Sequence, residues 1–309
     1  MKAIVYKSTG SWYTVKDGQG RWHQARIKGV FKIDEEITST NPVAVGDEVK
    51  LEIEDEAAGT AVITEILPRR NYINRQSPRH KRQQHIVAAN LDQSLLVATL
   101  KEPRTSQGFI DRFLAASEMY HVRSIIVFNK ADLYGRREME KYEEWSSIYQ
   151  SAGYPVFLVS VKEKSGLDSL MSELHQKTTL ISGHSGVGKS SLLNAIFPGK
   201  EIKTQDVSGW SGKGMHTTTF AEMYDLPGGG SIIDTPGMRE FGLVGVSRQE
   251  LSHYFPEMRS RLNDCQYNNC IHINEPGCAI KEAVREGAIP EDRYISYVSI
   301  LESIEENRY

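Results

Sequence analysis

The sequence predicts a multi-domain α/β chain: a small antiparallel β-barrel first, an α/β domain with a largely parallel sheet next, and a small helical domain last. Three observations lead there. Residues 1 to about 68 are short strand-like runs separated by glycines, residues 86 to 241 alternate apolar runs with amphipathic segments, and the remainder is helical around a cysteine-bearing loop. Short strands with turn residues between them read as a barrel or sandwich, whereas apolar runs alternating with helical periodicity read as a parallel sheet flanked by helices. A length of 309 residues also exceeds one ordinary domain, since domains usually run to roughly 100 to 200 residues.

Composition sets the outer limits. Hydrophobic residues make up 39% and charged residues 25% of the chain, ordinary values for a packed protein. The net charge of −3 gives no global attraction to nucleic acid, so contact with a polyanion requires a local patch. One such patch runs from Arg69 to His85, where Arg69, Arg70, Arg75, Arg79, Lys81 and Arg82 occur without a single Asp or Glu. Taken alone, a charge run of this kind is ordinarily a solvated linker. No window approaches the roughly 18 apolar residues of a membrane span, and the start lacks the apolar core of a signal peptide. A cytosolic protein without membrane contact is expected, and a monomer.

In the first region the expected strands are Ala3 to Tyr6, Tyr13 to Val15, Glu48 to Ile53 and Ala61 to Ile66, with Pro68 and the basic run marking its end. In the second, strands are expected at Ser94 to Leu100, Ser124 to Phe128, Val156 to Ser160, Thr179 to Ser182, Ala221 to Leu226 and Ser231 to Ile233. Helices should fall at Phe109 to Tyr120, Arg137 to Ser151 and Gly166 to His175, with one more after Gly188. Pro227-Gly228-Gly229-Gly230 reads as a hairpin connection, so the last two strands should be antiparallel. Beyond Phe241, helices are expected at Arg248 to Phe255, Ala279 to Glu286 and Glu291 to Glu306. The domains so defined are residues 1–70, 71–243 and 244–309.

Chemistry enters with Gly183-His184-Ser185-Gly186-Val187-Gly188-Lys189-Ser190, which fits G-x-x-x-x-G-K-[ST] and is followed by Ser191 and an apolar helix. Placed between a strand and a helix, this is the phosphate loop of nucleotide-binding proteins. Its backbone N–H groups and the helix N-terminus attract phosphate. Lys189 is expected to reach the β- and γ-phosphates, and the Ser190 hydroxyl to bind Mg²⁺. Asp234-Thr235-Pro236-Gly237 ends another strand, where Asp234 can orient the Mg²⁺ shell and the Gly237 amide can sense the γ-phosphate.

Asn129-Lys130-Ala131-Asp132 comes directly after the Ile125-Ile126-Val127-Phe128 run and has the N-K-x-D arrangement of GTP-binding proteins. The Asp132 carboxylate can accept from guanine N1–H and the 2-amino group, a pattern adenine does not offer, so the wrong base leaves a charged acceptor unpaired. Lys130 can cover the base with its aliphatic stem, and Asn129 can tie this loop to the phosphate loop. Ser160-Val161-Lys162 corresponds to the S-A-K element, with the Val161 position supplying a backbone N–H to guanine O6. An ATP-dependent phosphate-loop enzyme is the competing reading, and Asp132 argues against it.

The order is inverted relative to Ras-like GTPases, because N-K-x-D and S-V-K precede the phosphate loop. Each element still lies at a strand end, where open α/β sheets bind ligands, so a circularly permuted GTPase domain can rebuild the same site. The D-x-x-G loop then passes through Met238 to Leu243 directly into the C-terminal domain, and loss of the γ-phosphate is expected to shift that domain. Between the phosphate-loop helix and the next strand, Thr218 is expected to complete the Mg²⁺ shell, with Thr217 as the alternative register. Met238 occupies the place of the Ras-type catalytic glutamine and cannot orient water. His216 is the nearest polar candidate for that role; read from the pattern alone, it is equally an exposed loop histidine.

Cys265, Cys270, His272 and Cys278 are spaced C-x4-C-x-H-x5-C. Three thiolates and an imidazole form a complete tetrahedral set for structural Zn²⁺, with no position left for a reacting water.

On these residues the chain resembles the RsgA family of circularly permuted GTPases, which act in biogenesis of the small ribosomal subunit. The resemblance spans essentially the whole chain: N-K-A-D at 129–132, G-H-S-G-V-G-K-S-S at 183–191, H-T-T-T at 216–219, D-T-P-G-M at 234–238 and the cysteine cluster. It implies an OB-fold for residues 1 to about 70, slow intrinsic GTP hydrolysis stimulated by the 30S subunit, contacts with 16S rRNA, and His216 as the catalytic residue. It also makes the basic run an rRNA-facing edge rather than a linker.

Overall fold

A computed structural model describes residues 1–28, 42–76, 84–197, 221–235, 243 and 245–304. Strands β1 (Lys2–Ser8), β2 (Tyr13–Asp17), β3 (Trp22–Ile27), β4 (Glu48–Asp55) and β5 (Thr60–Ile66) form a barrel in the order β1-β2-β3-β5-β4, closed by pairing of β4 back onto β1. This is the expected OB-fold. Alternate side chains such as Val5, Tyr13, Val15, Ala25, Val49, Leu51 and Ile63 point inward to one apolar cluster. Strand β3 is absent from the strands expected of the sequence because its inward positions are His23 and Ala25 rather than large apolar residues. His23 is tolerated inside because its Nε2 meets the buried Asp17 carboxylate at 3.0 Å.

The basic stretch is not a free linker throughout. Strands β6 (Tyr72–Gln76) and β7 (Gln84–Ala89) form a separate antiparallel hairpin. Arg69 donates from Nε and Nη2 to the fully buried Asp47 carboxylate at 2.6 and 2.7 Å, and Arg70 donates to Asp92 at 3.0 Å. Two of the basic residues therefore fasten this stretch to the barrel and to the start of the central domain. Arg79, Lys81 and Arg82 lie outside the described residues.

The central domain runs β8 (Gln93–Ala98), α1 (Gln107–Met119), β9 (Arg123–Phe128), α2 (Arg136–Ser151), β10 (Val156–Leu158), α3 (Leu167–Leu174), β11 (Thr178–Ser182), α4 (Lys189–Ile196), β12 (Glu222–Asp225) and β13 (Ser231–Asp234). The sheet order is β10-β9-β8-β11-β13-β12, with β12 and β13 antiparallel as the Pro-Gly-Gly-Gly connection requires and the other pairings parallel. Strand periodicity divides the core in two. Leu96, Ala98, Ile126, Phe128 and Leu180 face α1 and α2, while Leu95, Val97, Ile125, Val127 and Ile181 face α3 and α4. Both faces of β8 are covered, so all six of its residues are buried.

Barrel and central sheet are continuous through β1, which pairs antiparallel with β12 at Lys7 and Glu222. Lys7 also forms an ion pair with Glu222 at 2.9 Å, and Lys16 with Asp225 at 2.6 Å.

The C-terminal region contains α5 (Pro256–Arg259), α6 (Ala279–Arg285) and α7 (Glu291–Ser303). The helix expected over Arg248 to Phe255 is instead a turn leading into a short 3₁₀ segment, Leu251–Tyr254. Pro256 explains the interruption: it forces Phe255 into an extended conformation and restarts the chain as a new helix. Phe255, Met258, Ile280, Tyr297 and Ile300 make a core that also takes in Ala115 of α1.

Arg293 of α7 is buried in this junction. Its Nη1 donates to Asp111 of α1 at 2.6 Å and its Nε to Glu257 at 2.6 Å, while the guanidinium lies 4.7 Å from the Phe255 ring centroid. Burial alone would lower the Arg293 pKa, but the two carboxylates hold it well above its ordinary value. Removing the guanidinium would leave two largely buried carboxylates without a counter-charge. Arg293→Ala is expected to lower the unfolding free energy by about 3 kcal/mol or more, measured by urea denaturation; a change within error would show that the ion pairs do not secure the junction.

Candidate nucleotide site

The phosphate loop begins where β11 ends and closes into α4, with Gly183 at φ 144° and Gly188 at φ 92°. A Cβ on Gly183 would sit 2.3 Å from the Val97 carbonyl oxygen, and one on Gly188 would sit 2.4 Å from Asn129 Nδ2. Both positions thus require glycine for space as well as conformation. The second contact brings residues 129 and 188 together: Asn129, buried at the end of β9, donates from Nδ2 to the Val187 carbonyl at 2.9 Å. The N-K-x-D loop and the phosphate loop therefore meet despite their inverted order.

Each half of the junction is braced from beneath. The Asn129 N–H donates to Ala98 O at 2.9 Å, and Tyr134 donates from its hydroxyl to Asn129 O at 2.7 Å while accepting from the Leu100 N–H. Lys130 takes a left-handed conformation at φ 64° and donates from Nζ to the Glu102 carbonyl, which lays its stem beside the phosphate loop. The Asp132 carboxylate accepts from the Ser160 hydroxyl at 2.6 Å, and Lys162 Nζ lies 3.9 Å from its other oxygen. Ser160 sits beyond the end of β10, one residue past Val159, and Val161 comes next. Its hydroxyl orients the carboxylate expected to read guanine, a contact that the S-x-K pattern does not reveal. The part played by Tyr134 is likewise invisible in the sequence, where nothing signals that its hydroxyl supports a distant backbone.

On the phosphate side, Lys189 donates from Nζ to the Gly183 and His184 carbonyls, the latter at 3.0 Å. Ser190 and Ser191 lie in the first turn of α4, and Ser185 is exposed at the loop's outer edge. Asp234 ends β13, the strand beside β11. Burial lowers the Lys189 pKa, with Asp234 opposing, and raises that of Asp234, with Lys189 opposing. Two partly buried groups that carry charge at a cost suit a ligand bringing both negative oxygens and a divalent cation. Gly237 and the loop bearing His216, Thr217 and Thr218 lie outside the described residues.

In the C-terminal region Cys265, Cys270, His272 and Cys278 converge so that their four ligand atoms lie within 4.8 Å of one another. His272 Nδ1 is 3.7 Å from Cys265 Sγ and 3.4 Å from Cys278 Sγ. Ligands held about 2.0 to 2.3 Å from a tetrahedral Zn²⁺ have edges of this length. Tyr294 and Tyr297 donate from their hydroxyls to the His272 and Ile271 carbonyls at 2.6 and 2.9 Å, fixing the loop to α7. The cluster is compatible with a zinc site.

A largely parallel sheet carrying a phosphate loop, an N-K-x-D loop in contact with it and the strand order β10-β9-β8-β11-β13-β12 define a circularly permuted phosphate-loop GTPase. Comparison with known proteins gives the family. A family model described as RsgA GTPase matches residues 66–244, and one described as RsgA N-terminal domain matches residues 2–61. The small ribosomal subunit biogenesis GTPase RsgA of Bacteroides fragilis is 50% identical over 309 residues, covering 100% of this chain and 99% of that protein. Its counterpart from Cytophaga hutchinsonii is 49% identical over 301 residues, covering 97% and 98%. Among solved structures, YjeQ from Thermotoga maritima is similar with a TM-score of 0.81 at 34% identity, over 99% of each chain. YloQ, described as a circularly permuted GTPase, has a TM-score of 0.76 at 29% identity, over 100% of this chain and 96% of that one. The chain belongs to the RsgA family and is a GTP-hydrolysing enzyme.

Because the two loops touch at Gly188, Gly188→Ala should separate them. GDP affinity is expected to fall by about tenfold, the worth of one hydrogen bond between the loops. Titration with a fluorescent GDP analogue checks this, and unchanged affinity would contradict the contact.

Proposed function

We propose that this GTPase serves maturation of the small ribosomal subunit, binding the particle through 16S rRNA and hydrolysing GTP under its stimulation. The observation that carries the proposal is the Asn129–Val187 contact, which joins a guanine-reading loop to a phosphate loop. The role for which these relatives are named, at about half identity over nearly their full length, supports the partner.

In this reading Asp132, held by the Ser160 hydroxyl, selects guanine by accepting from its N1–H and 2-amino groups. Lys130 covers the base, and the Val161 backbone N–H meets O6. Residues Gly183 to Ser191 hold the phosphates, with Lys189 facing the β- and γ-oxygens. Ser190 and Thr218 would hold Mg²⁺, with Asp234 orienting its shell, and the ion supplies neutralisation of charge on the phosphate oxygens. Gly237 senses the γ-phosphate. His216 positions the attacking water, since Met238 has no polar group for that task. The cysteine cluster would hold a structural Zn²⁺ that stabilises the C-terminal helices.

GTP turnover should rise on addition of 30S subunits and not of 50S subunits. His216→Ala should reduce the stimulated rate by about 100-fold or more, the usual worth of a positioned acid–base group, with GTP affinity retained. Equal turnover with and without 30S subunits would overturn the partner, and a fully active His216→Ala would overturn the catalytic assignment.

Elemental analysis should find one zinc per chain in the purified protein, and Cys270→Ala should lose both the metal and thermal stability. Full stability after complete zinc removal would contradict the structural role.

A further inference from the structure

The loop between β8 and α1 lies against the phosphate loop and contains none of the nucleotide motifs. Glu102 accepts from Lys130 Nζ through its carbonyl, and Pro103 packs so closely that a Cβ on Gly186 would meet its ring at 3.2 Å. Thr105, only 1% exposed, reaches His184 of the phosphate loop with a 2.7 Å contact between Oγ1 and Nε2. The Phe109 ring meets the imidazole edge to face at 5.5 Å between centroids.

The direction of each hydrogen bond in this chain of contacts is set by its ends. His184 Nδ1 lies 3.1 Å from the Ser185 carbonyl oxygen, which can only accept, so Nδ1 carries the proton. Burial lowers the His184 pKa; the hydrogen bond to the Ser185 carbonyl opposes this and the nearby Lys189 and Lys130 reinforce it, so the net shift is downward and favours the neutral ring at neutral pH. Nε2 is then the acceptor, and Thr105 donates to it. Thr105 Oγ1 in turn accepts the Thr99 N–H at 2.9 Å, and the Thr105 N–H donates to Thr99 O at 2.7 Å. The threonine hydroxyl both donates and accepts, which fixes its rotamer.

The consequence falls on one peptide group. In a trans peptide the C=O and the following N–H point in opposite directions. Holding the Ser185 carbonyl against the imidazole therefore aims the Gly186 N–H away from the ring. That N–H belongs to the set a phosphate loop turns onto its ligand.

We propose that Thr105 and His184 form a positioning couple for the GTPase reaction, in which the threonine hydroxyl holds the imidazole and the imidazole orients the Ser185–Gly186 peptide for a nucleoside di- or triphosphate. The proposal rests on residues 183–190 being the phosphate site. Neither residue touches the reacting atoms. Their contribution is preorganisation, so loss of the Thr105 hydroxyl should weaken binding of GDP and GTP alike and leave kcat near its original value.

The test compares GDP affinity, GTP KM and kcat, and melting temperature in Thr105→Val, Thr105→Ser, His184→Ala and the Thr105→Val/His184→Ala double variant. Thr105→Val should weaken GDP binding and raise the GTP KM by about five- to tenfold, the worth of one neutral hydrogen bond. Thr105→Ser should restore both, and Thr105→Val should cost nothing further once His184 is alanine. A Thr105→Val protein that melts lower yet binds GDP as tightly as the parent would overturn the couple, as would equal losses in the two backgrounds. If Thr105→Val does not fold, His184→Ala decides, because that ring is only partly buried: a five- to tenfold loss supports the couple, and none overturns it. Lys189→Ala separates the two levels, since retained GDP affinity in that variant would refute the phosphate site itself, whereas its loss beside a neutral Thr105→Val refutes the couple alone.

Discussion

The nucleotide site depends on the close approach of the Asn129 side-chain amide to the backbone at Val187 and Gly188. A side chain on the glycine would drive the loops apart, and the Asn129 hydrogen bond to Val187 sets their spacing through a single amide. Every role assigned to the site rests on that contact. The base recognition proposed for Asp132 and the phosphate binding proposed for Lys189 can serve one ligand only because the strands carrying them end close together, and the sheet places β9, β8 and β11 in the order needed. Chain order is immaterial to this, since a sheet records neighbours and not sequence.

The same sheet gathers the other parts of the molecule. On one edge, β1 of the barrel pairs with β12, whose Glu222 lies opposite Asp234 on β13. The Asp234 carboxylate is thus one strand away from the barrel. On the helical side, α1 is gripped twice: its entry loop holds His184, and Asp111 within it holds Arg293 of α7. Leu243 packs against both the central and the C-terminal cores. The sequence suggests an arm released by the D-x-x-G loop, but any movement of the C-terminal helices must also act on a buried guanidinium with two carboxylate partners. That constraint favours motion transmitted through α1 over a loosely attached domain.

Much of this is legible in the residues, for physical reasons that differ by element. Strands β8, β9 and β11 are largely apolar runs because both faces are covered, and the motifs sit at the ends of such runs, so strand and motif locate each other. The hairpin at Gly228 to Gly230 is equally plain. Strand β3 is hidden because a buried histidine–aspartate pair replaces apolar residues, and β6 and β7 are hidden beneath a charge run whose first two arginines turn to Asp47 and Asp92. The Arg248 to Phe255 segment has helical composition, yet the proline after it dictates otherwise. At the site, the motif residues are legible while their supports are not: Ser160, Tyr134 and Thr105 act through single hydroxyls on partners 28, 34 and 79 positions away, distances no local pattern encodes.

Hydrogen–deuterium exchange on the intact chain, with and without saturating GDP, interrogates the convergence of the two loops most directly. Peptides covering 129–132 and 183–190 should gain protection together, at the same GDP concentration, and ATP at that concentration should protect neither. Protection confined to 183–190, or produced equally by ATP, would contradict a shared guanine-nucleotide site.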